Sequence, residues 1–174
     1  MNNGNNENRP GSEPTGMSEK IKILVGTMTG TAELVASEIA EVLENRGADA
    51  EIVLMDDLTA DVFEAASAYI VCTSTYGQGD VPDNARTLFE SLKADRPDLS
   101  AIRYGLFALG DMTYAQTFCF GGRRFDDILQ ELGARRIGER EEHDASSGSL
   151  PEDEAATWAE GWYELCAASA EGVE

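Results

Sequence analysis

The 174-residue sequence predicts a doubly wound α/β fold, in which a five-stranded parallel sheet lies between two helical layers (α/β/α). Three observations carry that expectation. Short apolar runs alternate with longer segments of helical periodicity. The inner runs IKILVG and SAYIVCTS lack polar alternation, as strands covered on both faces must. Polar, glycine-bearing loops follow three of the runs, at the sheet end where such folds bind ligands.

Each element follows in order. IKILVG is the first strand, and in GTAELVASEIAEVLENRG the residues Val35, Ile39, Val42 and Leu43 recur at helical spacing before Gly47 supplies a stop. AEIVLM is a second strand, Asp61 to Ala66 a short helix, and SAYIVCTS the third strand. Asn84 to Ala94 reads as a helix, IRYGLFALG as a fourth strand, and GRRFDDILQELG as a helix with Phe125, Ile128, Leu129 and Leu132 on one side. ARRIGE, more polar, is an edge strand. The last helix, PEDEAATWAEGWYELCAAS, carries Pro151 in its first turn beside acidic residues that suit a helix N-terminus.

One domain is expected over residues 20–170, preceded by a polar, disordered tail at 1–19. That tail lacks the apolar stretch of a secretory signal, so a cytoplasmic location is expected. Cys72, Cys119 and Cys166 are widely spaced and form no CxxC pair, which fits a reducing compartment and argues against a metal cluster.

Thirteen basic against 33 acidic side chains give a net charge of −20. That field repels nucleic-acid phosphates and anionic lipid heads, and it steers the chain toward a protein with a basic patch. No apolar run approaches the ~20 residues of a spanning helix. A monomer that meets other proteins, rather than membranes or nucleic acids, is expected.

The three loops supply the chemistry. After the first strand come Thr27, Met28, Thr29, Gly30, Thr31 and Ala32, three hydroxyls and a glycine opening a helix. Backbone N–H groups and the positive helix end attract phosphate, the hydroxyls donate to it, and Gly30 permits close approach. Neither G-x-x-x-x-G-K-[ST] nor G-x-G-x-x-G is present, which favours one terminal phosphate over a triphosphate or pyrophosphate. After the third strand, Ser74, Thr75, Tyr76, Gly77, Gln78 and Gly79 place an aromatic beside two glycines. A flat ring can stack on Tyr76, and the glycines let peptide groups turn toward its edge. After the fourth strand, Leu109, Gly110 and Asp111 lead into a long loop with Tyr114, Phe118 and Cys119. Tyr114 is expected on the second face of the ring; Phe118 and Phe120 suit either ring contact or packing under the loop.

The motifs T-M-T-G-T-A-E, S-T-Y-G-Q-G-D-V-P-D-N and L-G-D-x-T-Y followed by F-C resemble the FMN domains of diflavin reductases, such as sulfite reductase flavoprotein. The R-P-D-L-S-A-I-R-Y-G stretch and the tail S-L-P-E-D-E-A-A-T-W-A-E-G-W are similar to the small stand-alone MioC-type flavodoxins. The resemblance spans Ile21 to Leu165 and is to the short-chain type, because L-G-A-R-R-I-G-E follows its helix without an insertion. It implies strand order 2-1-3-4-5, one FMN bound without a covalent link, phosphate at Thr27 to Ala32, and flavin at Ser74 to Gly77 and Leu109 to Cys119. One departure stands out: Ala115, Gln116 and Thr117 separate the tyrosine from F-C, where relatives usually have two residues.

The function implied is electron carriage. An NAD(P)H-dependent flavoprotein reductase would be the donor, and a haem or iron–sulfur protein with a basic docking patch the acceptor. An NAD(P)H:quinone-type oxidoreductase and an FMN-less interaction module are the alternatives. A phosphoacceptor receiver shares the topology, yet V-G-T and C-T-S-T-Y stand where its acidic residues are needed. Asp80 and Asp83 are expected near the exposed ring edge. Cys72 is expected in the core, Cys119 packed, His143 solvated within E-R-E-E-H-D, and Trp158 and Trp162 covering the sheet at i, i+4 spacing.

Overall fold

In a computed structural model describing residues 20–64 and 68–171, six strands form one sheet. The expected tail at 1–19 lies outside the described residues. The strands are β1 (Lys20–Gly26), β2 (Asp49–Leu54), β3 (Ala68–Thr73), β4 (Arg103–Gly110), β5 (Arg135–Arg136) and β6 (Glu141–Asp144). They run in the order β2-β1-β3-β4-β5, all parallel, with β6 also on β4. The helices are α1 (Thr31–Asn45), α2 (Arg86–Asp95), α3 (Phe120–Glu131) and α4 (Pro151–Glu171).

Strand pleating explains the three layers. Successive side chains point to opposite faces, so Ile21, Ile23 and Val25 enter one core with Val35, Ile39 and Leu43 of α1 and Trp162 of α4. Leu24, Tyr69, Val71 and Leu106 enter the other, with Leu88 of α2 and Phe125 of α3. Trp158 and Trp162 stack with centroids 6.0 Å apart on the first of these faces. Cys72 and Cys119 are buried, and desolvation pushes the Cys72 thiol up and the Cys119 thiol up to about 12.

Two expectations need correction. The helix read over Asp61 to Ala66 is a single 3-10 turn, Ala60–Val62, after which Phe63 is already extended and packs on Tyr69 at 4.9 Å; residues 65–67 lie outside the described residues. The strand read over ARRIGE keeps only Arg135 and Arg136. Pairing with β4 resumes at Glu141, opposite Phe107, with two more residues on this edge than on β4 between the two pairings. A charge cluster around the buried Asp126 lies at the break. Asp126, on α3, receives the guanidinium groups of Arg136 and of Arg140, the latter at 2.5 Å, and the Tyr104 hydroxyl at 2.5 Å.

Candidate functional site

At the carboxyl ends of β1, β3, β4 and β6 lies a cavity of about 740 Å³. That volume falls within the roughly 300–1,000 Å³ typical of small-molecule sites. The first wall supplies Met28, Thr29 and Thr31, the second Ser74, Thr75, Tyr76 and Gly77, the third Leu109, Gly110, Asp111 and Tyr114. Thr27, Gly30, Ala32, Gln78, Gly79, Phe118 and Cys119 belong to the same loops but do not line the cavity.

The residues outside the lining shape it. The Thr27 hydroxyl accepts from the Gly30 amide at 2.9 Å, and the Thr27 amide donates to Asn84 Oδ1 at 2.8 Å. Asn84 also donates to the Val25 carbonyl and to Asp56, both at 3.2 Å, which fixes the end of β1. Gly30 adopts φ 94°, in the left-handed region, and no side chain caps α1. The first N–H groups of a helix have no intrahelical partner, so α1 presents unsatisfied donors beside the exposed Thr29 and Thr31.

The second loop is a closed turn. Tyr76 and Asp80 exchange backbone hydrogen bonds at 2.8 Å, with Gly77 at φ 55° and Gly79 at φ 99° between them. Gly79 is packed against Phe120, and its carbonyl accepts from Arg124 at 2.6 Å; a Cβ at Gly77 would meet nothing within 4 Å. The Thr75 hydroxyl donates to the Leu109 carbonyl and accepts from the Gly121 amide, each at 3.0 Å. It therefore ties the second loop to the third and to α3, and Gly121 is required because a Cβ there would lie 2.3 Å from the Ser74 carbonyl oxygen.

The third loop forms a 3-10 segment, Met112–Thr117, kinked at Tyr114. Tyr114 stands out at 68% exposure and Tyr76 at 43%, whereas Phe118 folds back beneath the guanidinium of Arg123 at 5.9 Å. The two tyrosines thus flank the cavity mouth, and Phe118 and Phe120 pack.

A fourth wall was missed from sequence. His143, Ala145, Ser149 and Pro151 form it, and Thr117 extends the third wall. The expectation of a solvated His143 is wrong: the imidazole is 3% exposed, and Nδ1 lies 2.7 Å from Glu154 Oε2. The cause is register, since His143 sits opposite Leu109 on β6 and so faces inward despite its charged neighbours. Asp144 Oδ1 accepts from the Met112 amide at 2.9 Å and the Ser146 hydroxyl at 2.7 Å, bonds that hold its carboxyl below the usual range and join this wall to the third loop.

An uncapped helix end ringed by hydroxyls and flanked by two exposed aromatics, with no Lys or Arg in the lining, defines a site for a phosphate-bearing planar ligand. The chain belongs to the flavodoxin family, whose model matches residues 23–158. It is 42% identical to Flavodoxin YqcA of Escherichia coli over 84% of this chain and 97% of that one. It is 35% identical to the sulfite reductase [NADPH] flavoprotein alpha-component of Bacillus subtilis, covering 83% of this chain but 23% of that protein. Among solved structures, a C101A mutant of flavodoxin from Pseudomonas aeruginosa superposes with a TM-score of 0.75 at 32% identity, over 84% of this chain and 97% of that one. The family is one of FMN-binding electron carriers, and FMN is its cofactor.

Among the described residues no helix is long and apolar enough to cross a membrane, and no His/Cys/Asp/Glu group could hold a metal.

Proposed function

We propose that Thr27 to Ala32 hold the FMN phosphate, and that Ser74 to Gly79 with Leu109 to Cys119 hold the flavin ring. The observation that carries this reading is the uncapped N-terminus of α1 opening into a cavity flanked by Tyr76 and Tyr114. The donor set fits the group: a phosphate of about −1.5 to −2 charge needs N–H and O–H donors and a positive helix end. A chain of net charge −20 with no basic residue in the lining must supply that from backbone and hydroxyls.

When bound, FMN supplies a ring that accepts and releases electrons one or two at a time. The chain's own residues position and tune. Thr27 and Asn84 fix the phosphate loop, Thr75 fixes the second loop against the third, and the tyrosines limit access to the ring faces. Gly77, at positive φ with open space around it, leaves its peptide free to turn toward the ring edge. Asp80 and Asp83 are exposed beside the second loop and add negative charge near the mouth.

The carrier reading extends to partners. An NAD(P)H-dependent flavoprotein reductase donates electrons, and a haem or iron–sulfur protein with a basic patch accepts them, in the cytoplasm, with the carrier a monomer built as one domain over residues 20–170. The relation to a sulfite reductase component supports the donor class, and the acidic surface supports the acceptor's charge. Purified protein is expected to be yellow and to release FMN on denaturation. A folded, colourless preparation that takes up no added FMN contradicts the reading, and rapid NADPH oxidation without added reductase replaces it with the quinone-reductase one.

A further inference from the structure

His143 is a buried ionisable group at the flavin cavity that phosphate binding and ring stacking leave without a task. Its surroundings are organised for a proton. Nδ1 is occupied by Glu154 at 2.7 Å, which fixes the tautomer and leaves Nε2 as the nitrogen that gains or loses a proton. Glu154 sits in the first turn of α4, is 30% exposed, and lines a second cavity of about 590 Å³ with Glu141, Leu150 and Trp158. The pair therefore bridges the two cavities, and its carboxylate end reaches solvent.

The groups around the imidazole are almost all anionic or neutral. On β6 they are Glu141 and Asp144; from α4 comes Glu154, and across the cavity Asp111. Leu109 of β4 is apolar, and the Cys119 thiol donates to the His143 carbonyl at 3.7 Å. The nearby cations Arg123 and Arg140 are engaged by Glu142. Burial keeps Glu141 above the usual carboxylate range, reinforced by the charge of Glu154.

We propose that His143 is the proton-holding wall of this cavity: anchored by Glu154, its imidazole takes a proton from solvent when bound FMN brings negative charge, most of all when the ring is reduced. The inference rests on the reading that FMN occupies the cavity. Reduction by dithionite gives the ring two electrons and one solvent proton and leaves it one negative charge. The proton on His143 is an additional one, and its only new bond is N–H.

His143 is the chain's single histidine, so its imidazole NMR signals need no assignment by mutation. At fixed neutral pH the signals are expected to move toward the imidazolium form from apo protein to FMN-bound to dithionite-reduced, and back toward neutral in Glu154→Gln. Potentiometry against pH supplies a second readout: between about one and two protons per electron pair in wild type, and about one in His143→Phe. Should His143→Phe fail to fold, Glu154→Gln, altering a partly exposed side chain, is expected to lower the wild-type count. Saturable FMN binding with identical imidazole signals in all three states, or with unchanged proton counts in the variants, overturns the inference and leaves the FMN reading intact. Absence of FMN binding to folded protein overturns both.

Discussion

The centre of the sheet and its β5–β6 edge solve the same problem by opposite means. β1, β3 and β4 are largely apolar strands buried on both faces, and their ends release polar loops that make three walls of the cavity. The edge is charged, broken into two pieces, and held by Asp126 and Glu142 against Arg123, Arg136 and Arg140. Yet it delivers the fourth wall, including a buried histidine. Apolar burial lets the central loops be chosen for ligand chemistry; at the edge, charge pairs outside the cavity hold the strand while His143 faces into it.

The comparison breaks most directly at Asp126. Asp126→Ala leaves two guanidinium groups and the Tyr104 hydroxyl without their carboxylate. A loss of about 3–5 kcal/mol is expected, read by urea unfolding. A loss below about 1 kcal/mol would show that the edge does not depend on this cluster.

At the centre, Gly121→Ala forces a Cβ against the Ser74 carbonyl. The expected cost is about 1–3 kcal/mol of stability, with weaker FMN binding because the second loop must shift. Thr29→Asp places a carboxylate in the phosphate cradle without touching a core. It is expected to weaken FMN binding about 10- to 100-fold with stability within about 0.5 kcal/mol of wild type. Tyr114→Ala removes one stacking face and is expected to weaken FMN by about 2- to 12-fold, the equivalent of 0.5–1.5 kcal/mol.

The smallest effects are in pH. Burial pushes Glu142 up, but hydrogen bonds and charge from Arg123 and Arg140 outweigh it and hold the carboxyl below its ordinary 4.5. Its contribution is present above that value and lost as pH falls through the lower folded one, so Glu142→Gln should flatten the acid limb of stability. Glu141 is shifted the other way, upward from 4.5. The stability from its protonated form is present below 4.5 and lost as pH rises through the folded value. Glu141→Gln is therefore expected to gain less than about 1 kcal/mol at neutral pH.

The same contrast governs what could be read from sequence. Apolar runs and periodic helices made β1, β3, β4 and α1 legible because burial on both faces leaves a one-dimensional signature. The hydroxyl and glycine loops were legible because they follow strand ends of a doubly wound sheet, and residues of all three line the cavity. Register left no such mark at the edge: E-R-E-E-H-D looks solvated, and only pairing with β4 turns His143 inward. Asn84 ends the second motif, but nothing local in the sequence marks its bond to the first loop, 57 residues away. Phe118 was ambiguous until the kinked 3-10 segment resolved which aromatic faces out.

The central claim is that backbone amides and hydroxyls at the start of α1 grip a phosphate. Fluorescence titration of apo protein with FMN and, in parallel, with riboflavin tests it most directly. The account predicts saturable quenching by FMN at one equivalent and at least about tenfold weaker binding of riboflavin, about 1.4 kcal/mol or more. Equal affinity for the two flavins, or no saturation by either in folded protein, would contradict it.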